Sequence, residues 1–337
     1  MRIFLDAMGG DNAPQAPVEG ALEALRLYPD LEISLAGDLA QVEPLLKDCD
    51  DVRSRITLVD APEVITNDES PVMGVRTKKK SATVIGMLQL KAKEVDGFVS
   101  CGSTGAVLAG GMFRLGRIPG IERPALAPVL PTGTTPGSLL IDCGANVDCR
   151  PQYLLQFGMM GSIYMEKVIG VKNPSVGLVN IGAEEEKGSQ QAKTAHQLMK
   201  NQKIYRFTGN LEARDVPTGD VSVAVCDGFV GNVILKYTEG LASALTGMLK
   251  DTIMSSGLRG KIGGLLLKPA MKAFKNRMNY EETGGAPLLG VNGAMVKAHG
   301  SSSATAFKNA IGQARRMVEQ GVTDAIRQEI ERLTPQE

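Results

Sequence analysis

Gly97-Phe98-Val99-Ser100-Cys101-Gly102-Ser103-Thr104-Gly105-Ala106 joins an apolar run to a glycine-bordered pair of hydroxyls, and helical periodicity starts directly behind it, over 105–116. An apolar run, a tight polar turn and a helix make the repeating unit of a parallel sheet, because the helix must carry the chain back before the next strand can begin. Strand-like runs also occupy 3–6, 31–36, 56–59, 139–142, 176–181, 204–207 and 221–226, mostly separated by helical periodicity. This alternation predicts the α/β class: a doubly wound, three-layer α/β/α fold with a largely parallel sheet.

Four more of these runs stop as the first one does. Their loops are Gly9-Gly10-Asp11-Asn12, Gly144-Ala145-Asn146-Val147-Asp148, Gly182-Ala183-Glu184-Glu185-Glu186-Lys187-Gly188 and Asp227-Gly228-Phe229-Val230-Gly231-Asn232. In open α/β sheets, ligands bind beyond the carboxyl ends of the strands, where backbone amides and helix N-termini face solvent. The loops therefore predict one cleft at one sheet edge, with helices over 153–168, 189–200 and 232–250 starting behind it, and their residue types favour an anion. After Asn12, Val18, Ala21, Leu22, Leu25 and Tyr28 recur at helical spacing, which makes Asp11 or Asn12 the expected cap. Residues 303–332 carry a long helical pattern interrupted at Gly312 and Gly321. The Pro-, Gly- and Thr-rich stretch 119–136 reads as a crossover between two lobes of a single catalytic domain spanning 1–337.

The 337 residues are 43% hydrophobic and 22% charged, an ordinary globular balance that argues against disorder. Lys plus Arg equals Asp plus Glu at 37 each, so bulk charge gives no reason to expect nucleic acid, and an anionic partner must meet a local patch. Met1 leads straight into a strand, no apolar run reaches the roughly 18 residues that span a bilayer, and five cysteines is an odd number. These features predict reduced thiols and a cytoplasmic protein. Segment 257–277 stands apart, because Leu258, Ile262, Leu265, Leu266, Leu267, Met271 and Phe274 lie among Arg259, Lys261, Lys268, Lys272, Lys275 and Arg277 with no acid. It reads either as a basic amphipathic hairpin tip for an anionic membrane, broken at Gly263-Gly264 and Pro269, or as a helix packed on the body or on a second subunit.

Each loop has a plain structural reading beside the chemical one. Gly102-Ser103-Thr104-Gly105 is a cradle for phosphate or carboxylate, or a simple N-cap. Gly9-Gly10 stands where a dinucleotide fold carries its glycines, but the G-x-G-x-x-G spacing and any Walker A sequence are missing. Asp142, Asp148 and Asp227 offer hard oxygen ligands for magnesium, or act as strand-end caps beside Asn146 and Asn232. Lys187 is the one base in an acidic loop and suits the neutralisation of a phosphate. His299-Gly300-Ser301-Ser302 is a further anion-binding turn or a further cap, and His196 and His299 fit no zinc spacing. Arg76, Lys78, Lys79 and Lys80 would dock an acidic partner or solvate a helix face, and the Gly158-Met159-Met160-Gly161 run would line an apolar groove or fill a core.

Taken in order, Asp6-Ala7-Met8-Gly9-Gly10-Asp11, Gly102-Ser103-Thr104-Gly105-Ala106, Gly144-Ala145-Asn146-Val147-Asp148, Asp227-Gly228-Phe229-Val230-Gly231-Asn232-Val233 and Lys297-Ala298-His299-Gly300 resemble the motifs of the bacterial phosphate acyltransferase (PlsX) family, over residues 1–332. The resemblance implies a reaction in which long-chain acyl-ACP and inorganic phosphate give acyl phosphate and free ACP, the entry to phosphatidic acid synthesis. It also implies a fold akin to phosphotransacetylase and the isocitrate/isopropylmalate dehydrogenases, a homodimer, peripheral attachment to the membrane, and a downstream membrane glycerol-3-phosphate acyltransferase as partner. No metal or organic cofactor is expected. Loops and resemblance together make Lys187, Asn232 and Asp227 the expected catalytic residues, with Gly10, Asp11, Gly102, Ser103, Thr104, Gly105, Asn146, Asp148 and His299 as the phosphate- and substrate-binding set. Family members often carry Asn at position 103 and Thr at 230; Ser103 keeps a donor and an acceptor, and Val230 keeps neither.

The implied chemistry needs no Ser-His-Asp triad. A phosphate dianion already exists near neutral pH and a thiolate departs readily, so the protein has only to hold phosphate beside a thioester and stabilise the oxyanion. A metal- and nicotinamide-dependent decarboxylating dehydrogenase of related fold, and a non-catalytic lipid- or ACP-binding scaffold, are the alternatives at this point.

Overall fold

The strand-like runs build two sheets instead of the single sheet their spacing predicts. The computed structural model describes residues 1–277 and 284–333, with side chains through Phe274 in the first span. The chain runs β1 Arg2–Asp6, α1 Gln15–Leu27, β2 Glu32–Gly37, α2 Leu39–Val42, β3 Ile56–Asp60, α3 Pro71–Thr77, α4 Ala82–Lys91, β4 Gly97–Ser100, α5 Thr104–Gly110, β5 Ala125–Leu126, β6 Val129–Leu130 and β7 Ser138–Ile141. It continues through α6 Pro151–Tyr164, β8 Ser175–Asn180, α7 Gln190–Asn201, β9 Arg206–Glu212, β10 Val223–Val225, α8 Gly228–Ser255, α9 Gly257–Arg277, β11 Ala286–Leu289, β12 Ala294–Lys297, α10 Ala304–Glu319 and α11 Val322–Leu333.

The first sheet has the order β3-β2-β1-β4-β12-β11-β5 and the second β6-β7-β10-β8-β9. The first is parallel from β3 to β12 and the second from β7 to β9, whereas β11, β5 and β6 join antiparallel at the ends. Interior strands such as β4 and β10 are buried along their length, as parallel strands covered by helices on both faces must be. One apolar core joins the sheets, running from Ile3, Val296 and Phe307 to Leu139, Phe157 and Val176. The stretch 119–136 places β5 on the end of the first sheet and β6 on the end of the second, so it carries the chain across.

Several local expectations change. Neither Asp11 nor Asn12 caps α1: its N-cap is Pro14, and Asn12 instead donates from Nδ2 to Ser301 O and Ser302 O, both at 3.2 Å. Helix α8 starts at Gly228, not 232, because Asp227 accepts from Val230 N at 2.8 Å and caps it. Gly263-Gly264 and Pro269 do not break α9, so 257–277 is one arm of an α8/α9 hairpin that turns at Ser256-Gly257, where Gly257 takes φ +67°. The side chains of Lys275 and Arg277 lie outside the described residues. The 303–332 pattern divides at Gly321 (φ +59°), while Gly312 stays helical against Tyr28. Lys78–Lys80 form the turn between α3 and α4 and not a helix face, and Met159 and Met160 are fully buried core, leaving no groove there.

Candidate active site

Strands β1, β4 and β12 are neighbours, and one buried carboxylate organises the turns at their carboxyl ends. Asp6 accepts from Met8 N at 3.0 Å, Ser100 Oγ at 2.8 Å and Thr83 Oγ1 at 3.3 Å, and Ser100 Oγ in turn accepts from Gly102 N at 3.0 Å. Burial pushes the Asp6 carboxyl above its ordinary pKa, against the pull of these donors. The turns touch backbone to backbone: a Cβ on Gly9 would lie 2.4 Å from Gly102 N. Asp11 N donates to Gly300 O at 2.8 Å, which ties the loop after β12 to the loop after β1.

A second buried acid does the same for the other sheet. Asp142 accepts from Leu126 N (2.9 Å), Ala145 N (3.2 Å), Asn146 N (2.7 Å) and Asn146 Nδ2 (2.9 Å). Asn146 Nδ2 also donates to Pro124 O at 2.8 Å, and Asn146 O accepts from Gly228 N at 2.7 Å. Gly231 seats α8 on the end of β7, where a Cβ would fall 1.8 Å from Asp142 O. Asp142, Asn146 and Asp227 thus hold backbone, and among the described residues no three His, Cys, Asp or Glu side chains form a metal-binding group.

Two cavities of opposite character meet here, the apolar one between the two sets of turns and the polar one among the turns of the first sheet and the 64–68 loop. An apolar one of about 210 Å³ is lined by Leu126, Val129, Leu130 and Leu235, with Asn232, Lys236, Glu239 and His299 at its polar side. A polar one of about 570 Å³ is lined by Gly9, Gly10, Asp11, Thr66, Asn67, Asp68 and Ser103. Thr104, Lys297 and Gly300 line both and form their common wall.

The cations are placed on this wall and on the apolar side. Lys297, at the end of β12, is 8% exposed; its Nζ donates to Cys101 O at 3.4 Å and to Ala298 O. Burial lowers its pKa. Lys236 Nζ donates to Glu239 Oε2 at 2.7 Å and stands 3.4 Å from His299 Nε2. An ammonium only donates, so Nε2 accepts and His299 Nδ1–H donates to Ser301 Oγ at 2.9 Å. The other tautomer, which the 3.3 Å approach of Ser301 N to Nδ1 would need, aims an N–H at the ammonium. Burial and then Lys236 depress the His299 pKa.

Of the residues singled out in the sequence, Gly10, Asp11, Gly102, Ser103, Thr104, Asn232 and His299 line one or both cavities. Gly105 faces Pro71 instead, and Asp148 is exposed and lines neither. Lys187 is exposed on the loop after β8 and also lines neither. The reason is topological: β8 lies beyond β10 in the second sheet, one strand farther from the first sheet than the start of α8. Lys297, Lys236 and the 66–68 loop escaped individual notice. A lysine closing the apolar run Ala294-Met295-Val296 was the available signal.

A family model described as fatty acid synthesis protein matches residues 1–325. A phosphate acyltransferase from Clostridium novyi (strain NT) is 50% identical over 331 residues, covering 98% of this chain and 99% of the relative. One from Alkaliphilus oremlandii is 51% identical over 326 residues, covering 97% and 96%. Among solved structures, a phosphotransacetylase from Streptococcus pyogenes superposes with a TM-score of 0.61 at 18% identity over 94% of each chain. EutD phosphotransacetylase from Staphylococcus aureus gives 0.60 at 16% over 94% of each. Those two likenesses speak for the three-layer fold alone, whereas near-full-length identity to the curated relatives speaks for an acyltransferase and against a non-catalytic scaffold. On that identity, the chain belongs to the fatty acid synthesis protein (PlsX) family of phosphate acyltransferases.

Proposed function

We propose that the enzyme transfers a long-chain fatty acyl group from acyl-ACP to inorganic phosphate, giving acyl phosphate for phosphatidic acid synthesis. The observation that carries this reading is the pair of cavities, one apolar and one polar, sharing a wall at Thr104, Lys297 and Gly300. Making an acyl phosphate brings an apolar chain and a hydrated anion to one carbon, and adjoining slots of those two characters meet the need. A phosphate oxygen attacks the thioester carbon, the C–S bond breaks, and the carrier thiolate leaves with the bond pair. Asn232 and Lys236, both on the apolar cavity, are the donors for the developing oxyanion. Asp227 acts through Asn232 by capping α8, so it positions without touching substrate. A role for Lys187 requires its loop to fold inward over the bound donor.

The surface supports the finer parts of the reading. Helices α8 and α9 expose Leu241, Leu245, Met248, Leu258, Leu265 and Leu266, and α9 adds a basic character. Such a face is suited to a second copy of the chain and to anionic lipid, which would make the protein a peripheral homodimer placed to hand acyl phosphate to a membrane glycerol-3-phosphate acyltransferase. No described helix is long and apolar enough to cross a membrane. Arg76, Lys79 and Lys80 are exposed, and Lys78 Nζ binds Glu69 Oε1 and Val64 O, both at 2.6 Å, which holds this basic turn beside the mouth of the polar cavity. An acidic carrier protein suits that patch. The test supplies acyl-ACP and phosphate and traps product with hydroxylamine; acyl hydroxamate should form in step with free carrier thiol. Persistent absence of both, with active controls, would sink the assignment.

A further inference from the structure

We infer that Lys297 is the residue that binds the phosphate anion, at the wall common to the two cavities. The inference rests on the reaction proposed above and assigns one of its substrates to a side chain. Lys297 closes β12 between β4 and β11, with Nζ donating to the carbonyl oxygens of Cys101 and Ala298. Among the described residues no carboxylate comes within ion-pair distance of it. A buried ammonium without a counter-charge is costly, and it is placed usefully where an anion arrives to complete it.

The groups facing it leave that role open. Asp6, from β1, is committed to Met8, Ser100 and Thr83; Asp11 lies on the loop after β1; Cys101 follows β4; Lys236, from α8, is paired with Glu239; and His299 accepts from Lys236. The Thr104 hydroxyl has no partner among the described residues and lines the same wall, so it supplies a second donor. An anion entering from the polar side therefore meets a cation at the wall it shares with the apolar slot. Burial lowers the Lys297 pKa, and a bound dianion raises it. Phosphate binding then takes up a proton at pH values between the two, and the lower starting value brings that interval down toward neutral pH.

The experiment is titration calorimetry of the whole enzyme with inorganic phosphate alone, in two buffers of different ionisation enthalpy. The titrations run from about pH 8 to 10, where phosphate is already the dianion and His299 is neutral, so uptake within that window reports the lysine. Net proton uptake is expected in the wild type and its loss in Lys297→Gln, with a rise of about tenfold or more in KM for phosphate and little change in KM for the acyl donor. Lys297→Met removes a buried charge and should melt at or above wild type, which separates lost binding from lost folding. Phosphate binding without proton uptake at any pH in that window overturns the inference, as does a phosphate KM within about twofold of wild type in folded Lys297→Gln. If neither variant folds, the wild-type proton count decides alone. If phosphate binds with uptake yet acyl-ACP never yields acyl phosphate, the proposed reaction falls and the anion site stands.

Discussion

Gly231→Ala tests whether the active site is built by seating a helix directly on a strand end. The added Cβ would lie 1.8 Å from Asp142 O and 2.9 Å from both Asp142 C and Cys226 Sγ. Two of these three atoms are backbone, so no rotamer change relieves the overlap, and α8 must retreat from the end of β7 by more than about 1 Å. Overpacking of this kind costs roughly 1–3 kcal/mol. The retreat also strains the 2.7 Å bond from Gly228 N to Asn146 O and the 2.8 Å cap at Asp227, each worth about 1 kcal/mol, for a total near 3–5 kcal/mol. Asn232 is the next residue, and a displacement of about 1 Å at a reacting group costs roughly a hundredfold in rate. The assay pairs a thermal melt with kcat/KM for acyl phosphate formation. Gly247→Ala in the same helix has nothing within 4 Å of the new Cβ and serves as control, with a gain of about 0.5–1 kcal/mol expected from helix propensity. If Gly231→Ala melts and turns over like wild type, α8 does not rest on Asp142, and the account of how Asn232 is placed fails.

Lys187→Ala should leave the melting temperature unchanged, since the side chain is exposed. If its loop folds over the donor, kcat/KM drops about tenfold or more; unchanged turnover leaves the cationic work to Lys297 and Lys236. Burial raises the Asp6 carboxyl above its ordinary 3.8, so its contribution to stability is complete below that value and is lost as pH rises through the raised one. Asp6→Asn carries no charge at any pH, and urea midpoints should therefore show wild type losing ground to the variant across that window; parallel curves would refute the shift. Leu265→Glu with Leu266→Glu places two carboxylates on the exposed face of α9 and should abolish flotation with anionic vesicles without changing turnover on soluble acyl-ACP; flotation that persists moves the lipid contact elsewhere.

The parallel core strands were legible because burial on both faces forces continuous apolar runs, as in Ile3-Phe4-Leu5 and Leu139-Leu140-Ile141. What escaped was non-local. Strand β12 is four residues long and enters the middle of the first sheet beside β4, a partner almost two hundred positions earlier, so no local pattern announces its neighbour. The division into two sheets escaped for the same reason: β5 and β6 have two residues each, inside a Pro- and Gly-rich stretch. Breakers misled in α9, where Gly263, Gly264 and Pro269 stay within one helix.

The charges in the loops carried a different message from the one their chemistry first suggests. Tight glycine turns leave amides that no strand can pair, and a buried acid satisfies several at once. Asp6 and Asp142 do this for the two sheets, and Asp227, half-buried, caps the start of α8 through one amide. Acids in such loops are therefore evidence for turn geometry before they are evidence for catalysis or metal. The cations at the cavities come from regular structure instead: Lys297 closes a buried strand and Lys236 stands on a helix. Lys236 is exposed and paired with Glu239, whereas Lys297 is buried against two backbone carbonyls that do not neutralise it, so Lys297 is the charge to which the proposed phosphate offers a partner. In a site assembled this way the informative residue is the charge that interrupts an apolar element, and the acids mark where its scaffold turns.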